Sequence, residues 1–152
     1  MKEQKNTIEG KIWVLGDNIN TDLIVPSKVL TEQDPRNMVK ATLEIPLPEF
    51  SEQAEKGDII VAGSNFGCGS SREEAVYVLK VLGISAIVAK SFSRIYYRNC
   101  INLGISPIMY KDPSGTFQQK VKGTANPIGT QGDVIKINRE SGEIQNISNP
   151  NF

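Results

Sequence analysis

Between Asp58 and Gly83 the chain spells a strand, a glycine-rich turn and a helix in immediate succession. Asp58-Ile59-Ile60-Val61-Ala62 is a short apolar run, and Gly63-Ser64-Asn65-Phe66-Gly67-Cys68-Gly69-Ser70-Ser71-Arg72 follows without a break. From Arg72 to Leu82 the apolar positions Ala75, Val78, Leu79 and Leu82 recur at helical spacing. Gly83 stands where a C′ residue would end that helix. Downstream, Ser85–Ala89 reads as a short buried strand, Phe92–Leu103 as a second helix ended by Gly104, and Ile105–Tyr110 as a further strand. This strand–helix–strand–helix–strand order predicts an α/β fold with a parallel or mixed sheet.

The flanks are consistent with one domain over residues 1–152, a length that supports a real core. Ile8–Leu15 reads as a first strand, followed by the Asx-rich loop Gly16–Asp22. Leu23-Ile24-Val25 is apolar and is broken by Pro26. Pro35–Leu43 predicts a short helix with Asp34 as cap and Pro35 at its first position, and Pro48–Ala54 another helical turn. Towards the C-terminus, Ser114–Val121 reads as helix or irregular chain. Asp133–Ile137 alternates as a strand and pairs through the turn Glu140–Gly142 with Glu143–Ile147, and Ser148–Phe152 reads as frayed.

The glycine-rich turn is also where chemistry is expected. Gly63, Gly67 and Gly69 allow positive φ and a close approach of backbone to a ligand. Either Ser70 or Ser71 suits the N-cap, with Glu73 or Glu74 completing a capping box. A helix N-terminus presents unpaired N–H groups and the positive end of the dipole, and Arg72 adds a fork that can hold a carboxylate bidentately. Such turns also occur where nothing binds. The loop has neither the G-K-[ST] ending of a phosphate loop nor G-x-G-x-x-G spacing, so a small carboxylate fits better than a nucleotide.

Composition narrows the mechanism. The chain has no histidine, which excludes a Ser-His or Cys-His pair and any His metal ligand from its own residues. Its two cysteines, Cys68 and Cys100, cannot supply the usual four thiolates of an iron–sulfur cluster. With 17 basic and 17 acidic residues and no basic block, nucleic acid is not an expected partner. No apolar run is long enough to span a bilayer, and no apolar segment follows Met1–Asn6 as in a signal peptide, so no membrane partner and a cytoplasmic location are expected. Cys68 reads as a small or buried residue, Cys100 as core, and Arg94 and Arg98 as a solvated helix face.

Three ordered motifs carry a family likeness. N-F-G-C-G-S-S-R-E at 65–73, K-S-F-S-R-I-Y-Y-R-N at 90–99 and N-L-G-I at 102–105, with N-T-D-L-I-V-P at 20–26, resemble the swivelling domain of the aconitase family. The likeness covers roughly residues 8–110. In length the chain is similar to the separate small subunits of 3-isopropylmalate dehydratase and related hydro-lyases.

That resemblance implies a swivelling β/β/α domain with a mixed sheet flanked by helices. It implies closure over a large catalytic subunit that carries a 4Fe–4S cluster, with no cofactor bound by this chain. The reaction implied is reversible dehydration of a hydroxy di- or tricarboxylic acid such as 3-isopropylmalate, as in leucine biosynthesis. Homoaconitate- and dimethylmalate-type substrates remain alternatives, as does a non-catalytic carboxylate-binding or regulatory module. By the family's motif Ser70 is the base that removes the Cα proton, while Ser71 and Arg72 bind substrate carboxylate and steady the serine alkoxide. Asp22 matches the family's loop aspartate, and Lys28, Val29 and Leu30 fall in the stretch that selects the substrate's variable group. Two departures stand out. Glu74 replaces a frequent histidine, and Thr31-Glu32 stands where isopropylmalate enzymes usually carry a basic residue, with Lys28 earlier.

Overall fold

Three β-strands made almost wholly of Ile, Val and Ala set the frame. In the computed structural model, which describes residues 6–30, 34–70, 72–110 and 128–149, these are β2 (Ile59–Val61), β3 (Ala86–Ala89) and the second half of β1 (Thr7–Val14). Every residue of β2 and β3 is buried, as expected of parallel strands covered on both faces. The six-stranded sheet has the order β4-β3-β2-β1-β5-β6, where β4 is Ser106–Met109, β5 Val134–Asn138 and β6 Ile144–Asn146. β1 to β4 run parallel, while β5 is antiparallel to β1 and β6 to β5. β1 therefore serves two partners in turn. Its residues 7–11 pair with β5 and its residues 12–14 with β2.

Strand alternation divides the interior in two. Trp13, Ile60, Ala62, Ile87 and Ala89 face the helices. Ile12, Ile59, Val61, Ala86 and Val88 face the other way and join Ile135 and Ile137 of the hairpin. Residues of β4 and β5 line one hollow of about 550 Å³, although three strands lie between them in the sheet. In a flat sheet that separation is about 19 Å, so the sheet curls around this second core.

The helices lie on the Trp13 side. They are α1 (Thr21–Ile24), α2 (Pro35–Lys40), α3 (Phe50–Gln53), α4 (Glu74–Val81) and α5 (Arg94–Leu103). Asp34 caps α2 through Arg36 N, with Pro35 at the first position as expected. Ser93 caps α5, and Gly104 ends it in the left-handed conformation. α4 departs from expectation. It begins at Glu74 rather than Arg72, and its N-cap is Glu73, which makes no side-chain capping bond. The reason is a distant partner. The Ser70 hydroxyl turns towards Thr21 instead of the helix, so a Ser70–Glu73 capping box does not form. The apolar stretch 23–25 is equally divided, ending one helical turn and entering an extended residue at Val25. The expectations for Ser71, Thr31-Glu32, Ser114–Val121 and the last three residues lie outside the described residues.

Candidate active site

The loops that leave β1, β2 and β3 all emerge at the carboxyl edge of the parallel strands, where open α/β sheets place their ligands. The middle loop is sewn to both neighbours. On one side Asn18 N donates to Ser64 O (2.8 Å), Gly67 N to Ile19 O (2.7 Å) and Thr21 N to Cys68 O (2.8 Å). On the other, Phe66 N donates to Ser91 O and Ser93 N to Phe66 O, both at 3.0 Å. Ser93 Oγ also donates to Gly67 O (3.0 Å). Phe66 is the plug beneath this weave. It is fully buried, with its ring edge-to-face on Phe92 and Tyr96 at centroid distances of 6.1 and 5.4 Å. Tyr96 Oη donates to Ala75 O (2.8 Å) and so ties α5 to α4. Burial, aided by neighbouring Cys100, pushes that phenol well above its usual range, so it stays a neutral donor.

Two glycines are required by this geometry. Gly67 has φ +81°, and a Cβ there would lie 2.2 Å from the Tyr96 ring. Gly69 has φ +103°, and its Cβ would meet Thr21 Oγ1 at 3.3 Å.

The turn after Gly69 brings part of the expected set together. Ser70 is exposed, with Oγ 3.3 Å from Thr21 Oγ1. Arg72 is half-buried and reaches across to α1, where Nη1 donates to Val25 O (3.3 Å) and to Asp22 Oδ1 (3.5 Å). The same Asp22 oxygen accepts Ser27 N–H at 3.1 Å. Both Arg72 contacts use one nitrogen. Among the described residues nothing engages the guanidinium's other N–H groups, which can still meet a carboxylate.

Among the described residues no hydrogen bond or ion pair joins Lys28, Val29 or Leu30 to Ser70, Arg72 or Asp22. Lys28 is exposed and paired with Glu44 Oε2 at 3.3 Å. Val29 is buried in the helix-side core, and half-buried Leu30 rests against that core. Ser71 is not among the described residues. Thr21 was missed by the sequence reading, where Asn20-Thr21-Asp22 looked like a turn. Asn20 does cap α1 through Leu23 N (2.8 Å), but the Thr21 contact to Ser70 spans 49 residues and leaves no local trace.

The Aconitase C-terminal domain family matches residues 5–113. The chain belongs to that family. It is 46% identical over 93% of its length to the 3-isopropylmalate dehydratase small subunit of Aliarcobacter butzleri, covering 77% of that protein. It is 43% identical, over 93% of its length and 74% of the relative's, to the methanogen homoaconitase small subunit of Methanothermobacter thermautotrophicus. In three dimensions it is similar to the crystal structure of a 3-isopropylmalate dehydratase from Methanocaldococcus jannaschii. The TM-score is 0.78 at 38% identity, covering 95% of this chain and 78% of that one. The α/β class and the aconitase-type fold read from the sequence hold, and the chain is a member of a hydro-lyase enzyme family.

Among the described residues no group of three His, Cys, Asp or Glu side chains could hold a metal ion. Cys100 is buried, and burial pushes its thiol up to about 12. With two cysteines and no histidine in its sequence, the chain lacks four ligands of the usual kind for a 4Fe–4S cluster. No helix among the described residues is long and apolar enough to cross a membrane.

Proposed function

We propose that this chain is the small subunit of a cytoplasmic hydro-lyase that dehydrates and rehydrates a hydroxy di- or tricarboxylic acid of the 3-isopropylmalate type. The observation that carries the proposal is the cluster of Ser70, Arg72 and Asp22 on one edge of the sheet, in a family whose relatives are named as dehydratase and homoaconitase small subunits.

Ser70 is the base. Its alkoxide takes the proton from substrate Cα. The C–H electrons become the new double bond, and the hydroxyl leaves the adjacent carbon. Rehydration reverses each step. An alkoxide is a costly species at neutral pH, so it needs donors fixed before the reaction begins. Arg72 binds a substrate carboxylate with the N–H groups that Asp22 and Val25 leave available, and those two contacts set the guanidinium's direction. Ser71 joins the carboxylate contact. The large subunit carries the iron–sulfur cluster, which supplies Lewis-acid chemistry at the substrate hydroxyl when bound. Lys28, Val29 and Leu30 belong to the segment that selects the substituent, with Val29 acting through the packing beneath it.

Homoaconitate is the second substrate class, favoured by the homoaconitase relative. A carboxylate-binding module without catalysis would need neither partner nor base. The test is reconstitution. The chain and its large subunit are assayed apart and together, with 3-isopropylmalate and with homoaconitate, by absorbance of the unsaturated acid. Turnover only by the mixture is expected. A stable mixture inert towards both acids, or turnover by this chain alone, would reject the assignment.

A further inference from the structure

Resting on the reading of Ser70 as the base, we infer that Thr21 is a positioning residue for it, donating its hydroxyl proton to the serine oxygen while that oxygen is anionic. Thr21 is 2% exposed. Its backbone is fixed on both sides, with N donating to Cys68 O at 2.8 Å and O accepting from Val25 N at 2.9 Å. Asn20 caps the helical turn that Thr21 opens. Among the described residues Ser70 Oγ, at 3.3 Å, is the only hydrogen-bond partner of Thr21 Oγ1. A buried hydroxyl on a fixed backbone, with one polar neighbour, is a preorganised donor.

The turn itself packs against this hydroxyl. A Cβ at Gly69 would lie 3.3 Å from Thr21 Oγ1, so a side chain there would crowd the threonine. In the resting state either oxygen can donate. Once Ser70 is an alkoxide, only Thr21 can. When Ser70 has taken the substrate proton, the bond can reverse, and Thr21 never loses its own proton.

The experiment uses the reconstituted complex with Thr21→Val, Thr21→Ser and Thr21→Ala small subunits. Valine keeps the β-branched shape and removes the donor. Losing a hydrogen bond to a charged group predicts a fall in kcat of about ten- to a hundredfold, with KM unchanged and the acidic limb of the kcat profile moved to higher pH. Serine keeps the hydroxyl and is expected to restore kcat and the profile. Wild-type kcat in Thr21→Val, or a serine variant as slow as valine, would overturn the inference. If the valine chain does not fold or assemble, the serine and alanine chains isolate the hydroxyl, and equal kcat in those two overturns it. Ser70→Ala is run alongside. A fast Ser70→Ala complex removes both the base assignment and this inference, whereas a slow Ser70→Ala with a fast Thr21→Val removes the inference alone.

Discussion

Gly67 has no side chain because none fits. Its φ of +81° lies in the left-handed region, and a Cβ would stand 2.2 Å from the ring of Tyr96, which is itself buried and hydrogen-bonded to Ala75. Gly67→Ala would combine a left-handed backbone penalty with overpacking against a fixed ring, a loss of about 2–4 kcal/mol. Thermal or urea unfolding of the variant checks this, and an unchanged midpoint would contradict it. The glycine pattern was legible as a sign of close approach, but the sequence pointed to a ligand. The structure shows that at Gly67 the approaching group is Tyr96, from a helix 27 residues further on in the numbering. Ser70 was equally half-legible. Its place in the turn followed from the motif, but whether it caps the helix or faces Thr21 is a choice between local and distant partners that residue order does not encode.

At the scale of elements the strongest signals were those with a period. β2, α4, β3, α5 and β4 appear in the expected order, and Gly83 and Gly104 follow α4 and α5 as expected, because burial on both faces of a strand and one face of a helix writes itself into the sequence. Shorter elements were less visible. α1 is one turn held by Asn20, too brief for any apolar period. The hairpin β5–β6 was legible from alternation, and its entry is fixed by Asp133. Asp133 Oδ2 accepts from Asn146 Nδ2 (2.9 Å), Thr130 N (3.0 Å) and Thr130 Oγ1 (3.3 Å). These bonds, that from Asn146 first, hold its carboxyl below the usual 3.8. A carboxylate whose folded pKa is depressed stabilises the fold above its unfolded pKa, and that contribution disappears as pH falls through the folded value. Wild-type chain should therefore lose more stability than Asp133→Asn between about pH 5 and pH 3 or below. Denaturant titrations across that range measure it, and parallel pH curves for the two chains would contradict it.

At the scale of the molecule, two features were beyond the sequence. One is the double duty of β1, which changes partner between Lys11 and Ile12 and so joins the parallel layer to the hairpin. The other is the convergence of three loops on one edge, which makes neighbours of Asp22, Ser70 and Arg72 across 50 residues. The ordered motifs implied such a cluster by resemblance, and composition implied an incomplete one, since a chain without histidine holds neither a Ser-His pair nor a His metal ligand. Lys28, in the stretch that the resemblance ties to the substrate's variable group, has its ammonium on Glu44 in this structure, a contact 16 residues away that residue order does not announce.

The central claim is that Ser70 removes a proton from substrate carbon in a site completed by a second chain. Solvent-deuterium exchange at substrate Cα tests it most directly. It is followed by proton NMR in the reconstituted complex, with wild-type and Ser70→Ala small subunits and assembly verified for both. Steady loss of the Cα proton signal is expected with wild type, and a rate at least about a hundredfold lower with Ser70→Ala. Equal exchange rates in two equally assembled complexes would contradict it.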